Sequence, residues 1–370
     1  MSALIGVKAL PENGFLLLLR QSISAHGIFL LPISLYCVAY ELLHQMRSDM
    51  GPAHLAEGVL TAAILFIPLF FMGQLYLRFY NITRYVKPAS PLRALIQDEK
   101  QFLTDPARLA HGLPALLIIA IIGFIFSDIQ NNTLALNPNT WDAYFSNLDK
   151  TIHFGRQPWE ILQPLLGYGP ITFLINLNYN MWFFTMIALL IHFGFASQSS
   201  ETRTRFLLSY IAVWIIAGNV LAVIFSSGGP CYFTRMGLSP DPYLGLMTYL
   251  RTVNESIPVW AVGFQDVLWQ GHLQKSDMAE ISAMPSLHNA AAMLFALMGF
   301  QISRFWGRIL TVQAFLIFIG SIHLAWHYAV DSYLAWIVTL VIWLATAPIA
   351  RWWHSTHAQK EFDRMIGTTG

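Results

Sequence analysis

Eight apolar runs decide most of what this chain can fold into: about 15–43, 56–80, 113–126, 171–195, 206–225, 287–302, 310–326 and 333–350. Several of them reach the ~20 residues that a helix needs to cross the hydrocarbon core of a bilayer. Lipid offers backbone N–H and C=O groups no partner, so such runs must satisfy their hydrogen bonds internally, as helices. Composition agrees, since only 11% of residues are charged, against roughly a quarter in soluble domains. The chain therefore reads as all-α, a polytopic transmembrane helical bundle of about eight spans. The first run is too long for a secretory leader and lacks a small-residue cleavage pattern, so it reads as a span.

Lys and Arg concentrate on the cytoplasmic side of membrane proteins. With the N-terminus inside, 15 of the 21 basic residues fall in or beside cytoplasmic segments, from Lys8 and Arg20 through Arg304 and Arg308 to Arg364. The other six are Arg47, Lys150, Arg156, Arg235, Arg251 and Lys275. Both termini are expected in the cytoplasm. Residues 1–165 form N-terminal transmembrane helices with a cytoplasmic elbow (84–108) and outer interfacial helices (141–166). Residues 166–350 form a catalytic transmembrane core, and 351–370 a cytoplasmic tail. The long outer segment 228–284 has the length of a functional lid or binding loop. A net charge of +1 gives no case for nucleic acid, and Cys37 and Cys231 define no disulfide framework.

Two polar knots interrupt the last three apolar runs: Ala283-Met284-Pro285-Ser286-Leu287-His288, and His323 through Asp331. A helical hairpin turning at the basic segment 303–308 brings them to one end, on the exoplasmic or periplasmic side. On a helix, positions four apart share a face, so His323, His327 and Asp331 are expected one turn apart. An Asp beside a His fixes its tautomer and makes the free ring nitrogen a better nucleophile or base. Across the hairpin, Pro285 and Ser286 open a helix whose amides and hydroxyl suit a phosphate, next to His288. One His in an apolar run is usually a satisfied interior residue. Several ionisable groups at one membrane depth point to function. His272, in the outer loop, is ambiguous.

At these residues the chain resembles a known family. Pro285-Ser286-Leu287-His288, followed by His327-Tyr328-Ala329-Val330-Asp331, is similar to two signature motifs of the type-2 phosphatidic acid phosphatase superfamily. Within it, the closer resemblance is to the branch of inositol phosphorylceramide synthase and sphingomyelin synthase. The likeness covers chiefly 206–350, with a weaker echo in Leu148-Asp149-Lys150-Thr151-Ile152-His153-Phe154-Gly155-Arg156-Gln157-Pro158-Trp159. It implies a six-helix core, membrane lipid substrates and ping-pong transfer through a phosphohistidine, with no metal or other cofactor. His327 would attack phosphorus, Asp331 would orient it, and His288 would protonate the leaving oxygen and then deprotonate the acceptor.

Two departures stand out. The family's phosphatases carry an Arg six residues before the nucleophile, where this chain has Ser321, and their Lys/Arg-Pro motif is unmatched. Phosphate binding is then expected from Ser286, His323, Gly228, Gly229, Tyr232 and Arg235. The branch's own relaxation at these positions favours transfer to an alcohol or lipid acceptor over hydrolysis by a lipid-phosphate phosphatase. Readings from other classes are a zinc-dependent hydrolase using His288, His323, His327 and Asp331, and a transporter with a proton relay. Oligomeric state and the identity of the lipids are not legible.

Overall fold

The computed structural model describes residues 14–47, 54–275 and 279–367, so Lys8, counted above, lies outside the described residues. Among them the chain is helical with no strand. The helices are α1 (Gly14–Ala25), α2 (Gly27–Met46), α3 (Leu55–Asn81), α4 (Pro91–Thr104), α5 (Pro106–Leu136), α6 (Asp142–Ile152), α7 (Pro158–Leu166), α8 (Gly169–Gly194) and α9 (Glu201–Ile215). A π turn at Ile216–Leu221 and one further turn at Ala222–Ile224 extend α9. There follow α10 (Leu244–Asn254), α11 (Trp260–Gln274), α12 (Leu287–Ile302), α13 (Arg304–His323), α14 (Ala329–Ser355) and α15 (His357–Met365).

Among the described residues, six helices are long and apolar enough to cross a membrane: α2, α5, α8, extended α9, α13 and α14. The chain is an integral membrane protein. The expected spans 56–80 and 287–302 correspond to α3, of 27 residues, and α12, of 16. The expected first span breaks at His26, leaving α1 as a separate short helix. The third is far longer than expected, because Asp105 accepts hydrogen bonds from the Ala107 and Arg108 amides and starts α5 at Pro106.

Leu31, Leu35, Val38 and Leu42 form an exposed apolar stripe on α2, as do Ile337, Val341 and Leu344 on α14. In water such stripes would be a liability, but against lipid tails they lose nothing. The core lies where α12 packs on α13 and α14, α9 on α14, and α8 on α13. Ser303 caps α13 immediately after α12 ends, so the hairpin turns on one residue. Gly299 and Gly307 make that turn close, since a Cβ on Gly299 would stand 3.1 Å from the Gly307 Cα. Both arms then return the two polar knots to a single end of the bundle, the site end.

Candidate active site

Pro285 and Ser286 start α12, with the Ser286 hydroxyl accepting from the Asn289 amide at 3.4 Å. His288 follows in the first turn, stacked on Tyr179 of α8 at 4.8 Å between ring centroids and edge-on to Trp182 at 4.7 Å. Its ring centre lies 6.1 Å from that of His327. The two histidines of the separate knots thus face each other.

His327 does not sit on a helix. α13 ends at His323, and 324–328 form a loop whose Ala325 has φ of +59° before α14 begins at Ala329. The expected single helical face of His323, His327 and Asp331 is therefore broken. Two of the three still meet: the His327 Nδ1 lies 3.5 Å from an Asp331 oxygen. A shorter contact, 2.8 Å, joins Nδ1 to the Ala283 carbonyl. A carbonyl only accepts, so Nδ1 carries the hydrogen and Nε2 keeps the lone pair. Burial pulls the His327 pKa down to about 4, against the Ala283 carbonyl, which raises it. Burial thus favours the neutral form of the ring.

His323 turns away. Its Nε2 lies 2.9 Å from the Thr172 hydroxyl, itself 2.7 Å from the Tyr249 hydroxyl, and its Nδ1 is buried without a partner. The four residues considered as zinc ligands do not converge, and among the described residues no group of three His, Cys, Asp or Glu is placed to hold a metal.

The expected phosphate binders divide. The Gly228 and Gly229 amides are donated to Asp142, at 3.0 and 2.8 Å. Gly229 is required there, with φ of +93° and only 2.6 Å from its hypothetical Cβ to the Trp326 carbonyl oxygen. Tyr232 is buried against Trp269 and donates to the Gln265 carbonyl. Arg235 pairs with Asp266, which Arg251 also holds. His272 packs on Trp269. Ser286 remains at the site, in a network with Asn289, Ser321 and Ser332. Ser321 donates to the Phe318 carbonyl at 2.8 Å, and the Asn289 Oδ1 is buried without a partner.

Two carboxylates have no role in the sequence reading, although Asp149 stands in its weaker family echo. Asp142 is fully buried and also accepts from the Tyr328 hydroxyl at 2.8 Å. Asp149, two turns along α6, accepts from the Ala329 and Val330 amides at 2.8 and 3.0 Å. Asp331 completes the set by accepting from the Tyr328 amide at 2.9 Å. Burial pushes the Asp149 carboxyl up to about 7, with the Asp331 charge adding and the two amides opposing. The available signal was the pair of Asp seven residues apart on a helix otherwise read as interfacial.

A search of curated proteins and a search of solved structures each return no match. A family model described as "PAP2 superfamily" matches residues 143–345, more than half of the chain. The matched stretch runs from the first turn of α6 to the middle of α14, so it covers both knots, Asp149 and Asp331 and begins one residue after Asp142. On that match the chain belongs to the PAP2 superfamily and is an enzyme of its phosphatase and phosphotransferase type.

Proposed function

We propose that the protein is a membrane phosphotransferase that moves a phosphate-bearing headgroup from a phospholipid to an alcohol or lipid acceptor, in the manner of inositol phosphorylceramide synthase. The observation that carries this reading is the His327 ring, held through Nδ1–H by the Ala283 carbonyl with Nε2 free and His288 facing it. In-line attack asks for about 3 Å between nucleophile and phosphorus, and for an acid within about 3 Å of the leaving oxygen. Rings centred 6.1 Å apart bring both side chains within reach of one phosphoryl group.

In the first half-reaction the His327 Nε2–P bond forms, the P–O bond to the departing lipid breaks, and His288 gives its proton to that oxygen. In the second, the acceptor O–H proton passes to His288, its oxygen bonds phosphorus, and the N–P bond breaks. Asp331 balances the positive charge that His327 gains. The phosphate oxygens are received by the Leu287 and His288 amides in the first turn of α12, the Ser286 and Asn289 amides being taken by the Asp331 carbonyl and the Ser286 hydroxyl, since a helix N-terminus favours anions. The excess of basic residues at the opposite end supports a catalytic site on the exoplasmic face.

Transfer is favoured over hydrolysis by Ser321. It stands where the resembling phosphatases carry Arg, and a network of neutral hydroxyls and one amide takes the place of a guanidinium. The test is to supply a 32P-labelled phospholipid extract in mixed micelles and follow the label. Transfer leaves it on a new alcohol or lipid, and release of free phosphate alone would establish the phosphatase reading instead.

A further inference from the structure

We propose that Asp149 is a positioning residue for the transfer step: by holding the first two amides of α14, it fixes the turn that presents Asp331 to His327. The proposal rests on the reading of His327 as the attacking group.

A helix leaves its first four N–H groups without partners in its own backbone. They are usually met by water or by the residue just before the helix. Here the preceding residue, Tyr328, sends its hydroxyl to Asp142. The Ala329 and Val330 amides go instead to one carboxylate 180 and 181 residues away in sequence. The Tyr328 amide goes to Asp331 itself. Asp331 is thereby the third residue of a turn whose first two amides are held from α6.

α6 is in turn braced against α14. His153 contacts the Asp149 carbonyl through Nδ1 at 2.7 Å, and a carbonyl only accepts, so Nε2 is left to accept from the Tyr333 hydroxyl at 3.0 Å. Asp331 also receives the Ser286 amide on its own carbonyl, at 3.2 Å. The α6 grip therefore reaches both knots. A buried carboxylate beside a second buried carboxylate is a costly way to cap a helix. Water or an Asn would cap at lower cost, whereas a bidentate carboxylate fixes both the height and the rotation of the turn. The Asp331–His327 contact, at 3.5 Å, has little tolerance for either to drift.

The test uses the full-length enzyme in detergent micelles with a 32P-labelled phospholipid extract. Single-turnover labelling and steady-state rates are measured per folded molecule for Asp149→Asn, Asp149→Ala and wild type. Misplacing a reacting group by about 1 Å costs on the order of 10²-fold. Asp149→Ala is expected to slow transfer by about that factor and Asp149→Asn, which keeps one acceptor oxygen, by roughly 10-fold. Half-saturation by micellar phospholipid is expected to stay within about 3-fold, and added formate to restore part of the Ala variant's rate. A residue serving stability alone would lower the yield of folded protein and leave the rate of each folded molecule unchanged. Rates within about 2-fold of wild type in folded Asp149→Asn would overturn the proposal, and this variant decides the matter if Asp149→Ala does not fold. Should wild type turn over without label on His327, the nucleophile reading fails, while the steady-state rates still decide whether Asp149 sets the turnover.

Discussion

Each end of the bundle buries charge, but in opposite ways. At the site end, Asp142, Asp149 and Asp331 are buried, and backbone amides at a helix start or tight turn meet them. At the other end, Arg203 is 3% exposed and donates to the carbonyls of Phe193, Gly194 and His111 at 2.8 to 3.2 Å. Helix starts favour anions and helix ends favour cations, so each charge sits where the backbone dipoles accept it. What differs is completeness. Arg203 is tied to three carbonyls and approached by His26, which makes a static pin. Around Asp331, one carboxylate oxygen is buried without a partner and the nearest ring nitrogen stands 3.5 Å from the other. That incompleteness is what a site needs if His327 is to change charge during a reaction.

The two ends should differ most at His327. His327→Ala should abolish label uptake and lower turnover by at least about 10⁴-fold while leaving thermal stability near wild type. Turnover and thermal unfolding measured on one preparation check both halves. Arg203→Met should do the reverse. Losing a buried, hydrogen-bonded charge and leaving three carbonyls unmet should cost about 3 kcal/mol, with the rate per folded molecule unchanged.

Gly229→Ala tests the turn beneath Asp142. A Cβ would press on the Trp326 carbonyl in a conformation that L-residues avoid, so stability should fall by about 1–3 kcal/mol. Denaturation midpoints would show it.

The smallest effect concerns pH. Asp149 has a folded value of about 7, above its ordinary 3.8, so its carboxyl contributes stability that is full below 3.8 and lost as pH rises through 7. Asp149→Asn carries no such loss. From pH 5 to pH 8 the wild type should therefore lose stability relative to the variant, with His153 and Asp331 common to both. Thermal scans at intervals across that range would reveal a constant difference if the carboxyl does not titrate there.

The fold was largely legible because lipid leaves the backbone no alternative to helices. The break at His26 was not, since nothing in the apolar pattern distinguishes a bent span from two helices. His288, His327 and Asp331 were visible as polar residues in apolar surroundings. The assumption of a continuous helix failed at 324–328, and with it the company expected of His323. The phosphate binders were the least legible part. Gly228 and Gly229 looked like an anion seat, and the structure supplies them with an anion of its own, Asp142. A motif can announce exposed amides but not the long-range partner that takes them. Asp149 shows the same limit, because its partners lie 180 residues away.

The proposed chemistry turns on one nitrogen, the His327 Nε2. Enzyme incubated with 32P-labelled phospholipid, quenched under alkaline conditions and digested, should carry its phosphate on the peptide holding His327, assigned by tandem mass spectrometry. The label should vanish in His327→Ala and build up in His288→Ala if a donor with a good leaving group is supplied. Phosphate on any other residue, or turnover in His327→Ala equal to wild type, would contradict it.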